Sequence, residues 1–246
     1  MNKITLKTIF PILSLMLMTH SHAENTFQQE LKQNCSKIAP AAKLGKKLYD
    51  QKQYKKALEQ FKFQLAWSNF CTANSDESGM SFSDQALDVA RNNVGLTYAR
   101  MNQPGWARVW YEIDSTSKAS QYNLKQLPKA KSASDLSGEY VSYAGFGEWD
   151  HITVNKRNGR YEIAYSGLYM GIRSLIYGPN MGEFDTHMPV NKTQTTFKYD
   201  DCKIDLNFKI SPERGNFIEV KQNDGTSGCG FGHNVYAGGT YLKVEK

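Results

Sequence analysis

Apolar residues recur at three- and four-residue steps before residue 115 and at every second residue after 137, and no single element type satisfies both patterns. A 3.6-residue period turns one stripe of a helix toward a core, whereas a two-residue period puts alternate side chains of a strand on one face. One change of period along the chain therefore predicts an α+β protein of two domains, helices first and strands second. At 246 residues, both domains can bury a core of their own.

Residues 1–23 belong to neither pattern. Lys3 and Lys7 give a basic start, an apolar run covers Ile9 to Met18, and "SHA" ends at Ala23 as a small-x-small cleavage site. The run is too short to cross a bilayer, so a cleaved export signal is expected instead of an anchor. No later segment is apolar enough to span. Glu24 would open the mature chain, and a residue other than cysteine there argues against a lipid anchor. The expected destination is the periplasm, where thiols become disulfides. Cys35, Cys71, Cys202 and Cys229 allow three pairings. The economical one joins Cys35 to Cys71 and Cys202 to Cys229, so that each domain closes its own bridge.

In residues 24–114, Leu44, Leu48, Ala57, Leu58, Phe61 and Leu65 keep helical spacing on both sides of a break at "YDQKQY". That is a helical hairpin. "ALDVARNNVGLTYARMNQPGWARVWYEID" has the same layout, with its bend at "MNQPG". Placing Gly45 on Gly95 puts Leu48 on Tyr98, Ala57 on Ala107 and Phe61 on Tyr111. Over residues 38–117 this pattern resembles the tetratricopeptide repeat. The resemblance implies that the small residue of helix A lets helix B approach, that the alanine of helix B fills the gap, and that the aromatic closes the seam. The units here stand 50 residues apart where that family has 34, because "SNFCTANSDESGMS" intervenes, and the family's late proline is missing from both. The leading "TFQQELKQNCSKIA" predicts one more helix, held to the end of the first hairpin by a bridge from Cys35 to Cys71.

Residues 115–136, polar and containing Pro128, read as a linker. Residues 137–246 follow as the second domain. Seven or eight short segments, among them "EYVSYA", "RYEIAYS", "CKIDLNFKI" and "GTYLKVE", are separated by turn formers such as "KRNGR" and "QNDGTSG". In "CKIDLNFKI", Ile204, Leu206, Phe208 and Ile210 share one face and lysines and acids the other, as in an antiparallel sheet with one wet side. The number of strands predicts a small antiparallel β-barrel or curled sheet, since closure removes exposed edges.

Charge is uneven. Residues 24–136 carry 16 basic and 11 acidic side chains, and residues 137–246 carry 12 and 13. The lysines of the first half, Lys43 to Lys62, read as a solvated helix face, with an acidic partner as the alternative. Nucleic acid would need a denser basic stripe with interleaved aromatics.

Candidate chemistry gathers in "CGFGHNVYAGGTYLKV". A thiolate Cys229 with His233 as base would be a nucleophile pair, but an oxidising compartment assigns that sulfur to the bridge with Cys202. A zinc site would need three or four ligands, and His151, His187 and His233 each stand alone in their segments, so no metal or other cofactor is assigned. Glu148, Asp150, Glu183 and Asp185 are the carboxylates a hydrolase could pair. Cys229, Gly230, Gly239, Tyr241 and Lys243 together resemble the ending of small exported lysozyme-inhibitor-like β domains, which implies a disulfide and binding without catalysis. "GFGEWDH" and "GFGHN" each place a phenylalanine between glycines near the first and last strands. If those strands are neighbours, Phe146, Trp149, Phe231, His233 and Tyr236 would form an aromatic rim for a partner. The competing expectation is that Trp149 and one phenylalanine plug the barrel end. Residues 167–189, rich in Gly, Met and Tyr, are irregular strands or a loop over the barrel mouth. The function this predicts is non-catalytic protein binding in the periplasm: an inhibitor, immunity or scaffold protein acting on an envelope protein such as a toxin or cell-wall hydrolase. The alternative is a hydrolase of cell-wall polymer working at the mouth of the β domain.

Overall fold

The computed structural model describes residues 26–130, 132–223 and 229–245, and the change of period is the junction between its two parts. Seven helices precede the first strand among these residues: α1 (26–36), α2 (Ile38–Asp50), α3 (Tyr54–Ala73), α4 (Ser75–Ser78), α5 (Asp84–Arg100), α6 (Pro104–Glu112) and α7 (Lys118–Gln126). The export signal expected at residues 1–23 lies outside the described residues, as does most of the turn expected at "QNDGTSG". No described helix is long and apolar enough to cross a membrane. α1 and α2 are interrupted at Lys37. The cause is Pro40, which has no amide to give to the Ser36 carbonyl four residues back.

The α2–α3 and α5–α6 hairpins match residue for residue. Lys52 (φ 60°) and Asn102 (φ 59°) adopt the left-handed conformation that reverses the chain. The next amides, Gln53 and Gln103, donate to the carbonyls of Leu48 and Tyr98 at 2.9 and 3.0 Å. A Cβ on Gly45 would come within 2.7 Å of the Phe61 ring, and one on Gly95 would enter the Tyr111 ring. Ala57 and Ala107 are fully buried at the two crossings. The small residues thus let each helix pair close around one aromatic ring.

The stretch read as a linker is partly helical. Ser117 caps α7 by accepting from the Ser120 amide at 3.3 Å and donates to Asp88 at 2.6 Å. Asn92 donates to Ser120 Oγ at 3.2 Å and accepts from Asn123 Nδ2 at 2.8 Å. α7 is therefore held to α5 largely by side-chain hydrogen bonds, which leave no apolar period in the sequence.

Eight antiparallel strands follow: β1 (Gly138–Gly145), β2 (Glu148–Arg157), β3 (Arg160–Tyr169), β4 (Asn180–Pro189), β5 (Gln194–Tyr199), β6 (Cys202–Ser211), β7 (Gly215–Gln222) and β8 (Gly239–Glu245), with the short α8 (Ser174–Tyr177) between β3 and β4. Their order in the sheet is β4-β3-β2-β1-β8-β7-β6-β5. The sheet curls until its outer strands meet: Thr195 Oγ1 on β5 donates to the His187 carbonyl on β4 at 2.8 Å, and Phe184 stacks on Phe197 with centroids 4.6 Å apart. Tyr140, Ile152, Ile163, Met188, Ile204, Leu206, Ile218 and Tyr241 fill the nearly closed barrel. In β6, Ile204, Leu206 and Phe208 point inward as their spacing predicts, whereas Ile210 is 55% exposed because the strand runs on past the core.

The two parts share a second core. Val141, Trp149, Phe217 and Leu242 point away from the barrel interior and pack beneath Ala107, Val109, Trp110 and Tyr111. Trp149 stands edge-on to Trp110 at 5.0 Å, to Tyr143 at 5.2 Å and to Trp106 at 5.8 Å. Where α6 crosses them, β1, β7 and β8 are buried on both faces.

Candidate binding surface

Antiparallel pairing from β4 through to β5 fixes which loops share an end of the barrel. One end carries the β1–β2 turn, the crossing from Tyr169 to Asn180, the β5–β6 turn and the segment leading into β8. The other carries the β2–β3, β4–β5 and β6–β7 turns.

The crossing between β3 and β4 is docked on the helices. Asn74 Nδ2 donates to the Ile172 carbonyl at 2.8 Å, and Ser174 Oγ to that of Gly171 at 2.6 Å. The Arg173 guanidinium lies 4.5 Å from the centroid of the Phe27 ring and 3.4 Å from Glu77 Oε1. Leu175 and Ile176 pack onto Phe27, Leu31, Phe70 and the disulfide Cys35–Cys71, whose Cα atoms are 6.1 Å apart. That bridge pins α1 to the end of α3 and so builds the floor under the crossing. Ile172 and Tyr177 of the crossing, with Tyr169 and Met181 at the strand ends beside it, remain between 40% and 63% exposed, the Tyr177 ring stacked on Phe27 at 5.8 Å.

The segment before β8 closes the rest of this end. Cys229 is bonded to Cys202, with Cα atoms 4.8 Å apart. Gly232 N donates to the Met181 carbonyl at 2.8 Å, and Asn180 Nδ2 to that of His233 at 2.7 Å. Tyr199 and Tyr236 project from the same end, 54% and 47% exposed.

The five residues expected to form one aromatic rim are not brought together. β1 and β8 are neighbours, but the two phenylalanines turn to different sides. Phe146 occupies the left-handed region (φ 47°) at the tip of the β1–β2 turn and meets Phe70 of α3 edge-on at 5.2 Å. Trp149 stands in the seam under α6. Phe231 caps the barrel interior, 5.7 Å from Tyr165 and over Gly182, where any side chain would strike its ring. His233 and Tyr236 alone of the five are exposed. The plug expectation describes Phe231, while Trp149 serves the helices.

The chemistry candidates are also dispersed. The Cys229 sulfur is in the disulfide. His151 Nδ1 lies 2.7 Å from Glu139 Oε1 on the outer face of the sheet, and His187 and His233 are exposed elsewhere. Among the described residues no group of three or more His, Cys, Asp or Glu side chains could hold a metal ion. Strand parity puts Glu148 and Asp150 on one face of β2 and Glu183 and Asp185 on one face of β4. Asp150 faces inward, accepts from the Leu168 amide at 2.7 Å, and is pushed up to a pKa of about 6 by burial. Glu148, Glu183 and Asp185 are exposed.

Sequence reasoning singled out residues 167–189 but missed Tyr169, Ile172, Tyr177 and Met181 as a surface. Their signal is the combination of Met and aromatic residues with poor alternation, because a segment docked by one face need not alternate. The chain matches no protein-family model, no curated protein and no solved structure.

Proposed function

We propose that this chain is an exported, non-catalytic binding protein that grips a partner protein of the cell envelope at the barrel end carrying the β3–β4 crossing. The observation that carries this reading is the concentration there of exposed Tyr169, Ile172, Tyr177, Met181, Tyr199 and Tyr236. Exposed tyrosines and methionine are what interface centres are enriched in. The crossing that carries Ile172 and Tyr177 is tied to the helices by hydrogen bonds and by half-buried Leu175 and Ile176, so its shape is set before a partner arrives. The two bridges suit an oxidising compartment. α1 and the end of α3, the latter from the first of the two hairpins that resemble tetratricopeptide units, serve as the base for the crossing. An inhibitor or immunity protein would work this way, blocking an envelope enzyme by covering it.

The test is capture from periplasmic extract by the mature protein, followed by the same capture with Ile172→Ala, Tyr177→Ala and Met181→Ala. A stoichiometric partner retained by wild type should be weakened by about 2 kcal/mol at a central anchor, while Ile210→Ala at the opposite end leaves it unchanged. Turnover of cell-wall polymer without any such partner would replace this reading with the hydrolase.

A further inference from the structure

At the opposite end of the barrel, the start of α6, residues 128–130 with Ala133, the start of β7 and the end of β8 surround a cleft of about 490 Å³. Clefts of this order hold small ligands. Arg108, Lys129, Arg214 and Lys243 line it, and among the described residues no acidic side chain does. Two of these cations come from the helical part and two from the sheet, so the cleft exists only because the parts are joined.

The neighbouring groups leave its charge uncancelled. Arg214 Nε pairs with Glu112 at 3.1 Å. Lys243 donates to the Asp135 carbonyl at 3.3 Å and lies over the Tyr140 ring. Arg108 donates to the neutral Pro128 carbonyl at 2.8 Å, and burial pushes its guanidinium below the ordinary pKa, with Glu112 opposing. Neither Arg108 nor Lys129 has a carboxylate at ion-pair distance among the described residues. Arg108 and Lys129 therefore bring to the cleft positive charge that no described carboxylate pairs. Gln103, Pro104 and Gly105 line the same space, so the positive end of α6 adds to it; no side chain caps that end, and no acid stands in its first turn. A side chain at Gly105 would strike the Val244 backbone, which keeps the start of the helix close against β8.

We propose that this cleft binds a small, multiply charged anion bearing phosphate or carboxylate groups, with Arg108 and Lys129 as its principal contacts. Arg108 offers a planar fork that suits either oxyanion, and Lys129 a mobile point charge at the rim.

Titration calorimetry on the mature protein at low salt, with pyrophosphate and with citrate as separate probes, tests this. Saturable binding of at least one probe is expected, and the preferred probe identifies phosphate or carboxylate as the group recognised. Lys129→Gln and Arg108→Gln should each weaken it about tenfold, while exposed Lys198→Gln on β5 leaves it unchanged. Lys129 is at the surface, so its variant reads binding even if Arg108→Gln lowers the melting temperature. Equal weakening by Lys198→Gln would show general charge attraction and overturn the proposal. So would the absence of binding by both probes at about 10 mM, a concentration that detects even millimolar affinity.

Discussion

The α2–α3 and α5–α6 hairpins share their reversing position, their helix-A glycine, their buried alanine and their ring, each pair 50 positions apart, yet the second packs on the strands while the first meets the sheet at the β1–β2 turn. Trp106 and Trp110 of α6 stand where α3 has Lys56 and Gln60. Backbone geometry is therefore set by the small residues and the turn, whereas the choice of neighbour is set by the outward side chains. The exposed Lys56 remains in solvent, and the indoles at the matching face of α6 bury Val141, Trp149 and Leu242.

The two hairpins should differ most when their matched outward positions are truncated. Trp110→Ala empties the centre of the shared core and should destabilise the protein by about 3 to 5 kcal/mol. Gln60→Ala at the equivalent place should stay within about 0.5 kcal/mol. Urea melts of the two variants decide it, and similar losses would mean that the first hairpin is docked as firmly as the second.

A smaller effect is expected where the hairpins agree. Gly45→Ala and Gly95→Ala both push a methyl into a ring and should cost about 1 to 3 kcal/mol each, with Gly95 the larger because its ring is closer. The same melts check this, and a wild-type midpoint for either variant would show that the crossing is looser than its contacts require.

At the bends the two hairpins should differ least. Lysine is strained in the left-handed region, whereas asparagine tolerates it. Lys52→Gly should therefore stabilise by about 0.5 to 1 kcal/mol, and Asn102→Gly by no more than a few tenths. Thermal unfolding of the pair would show the difference, and equal gains would contradict the strain argument.

Much of the architecture was legible because it rests on periods and local chemistry. The change from helix to strand, the matched hairpins, the "KRNGR" turn and the within-half disulfides all follow from residues close in sequence or few in number. Asn158 and Gly159 adopt the paired positive φ values, 49° and 76°, of a two-residue type I′ turn. α7 was hidden because Asn92, Ser120 and Asn123 hold it with hydrogen bonds in place of an apolar stripe. The aromatic rim failed because it was inferred from strand adjacency alone, which fixes the end of the barrel but not the side to which each tip turns. The seam did leave a trace. Tyr140–Val141, Phe217–Ile218 and Tyr241–Leu242 are consecutive apolar pairs, and a strand with one wet face would not carry them. The poor alternation of residues 167–189 marks Tyr169, Ile172, Tyr177 and Met181, whereas Tyr199 and Tyr236 join that surface from separate segments, which no linear pattern links to it.

β8 sits between β1 and β7, and its Leu242 and Val244 lie against α6. Val141 meets Leu242 across the ladder only after nearly the whole sheet has been threaded. Contacts this distant in sequence form slowly. Until they do, β1 and β7 present open edges, and the indoles of α6 have no sheet to cover. The helices and the bridge from Cys35 to Cys71 rest on local contacts, and the topology predicts that insertion of β8, which closes the sheet and the seam together, comes late in folding. A chain halted before that step would display both its open edges and its tryptophans, the state in which proteolysis and aggregation compete with folding.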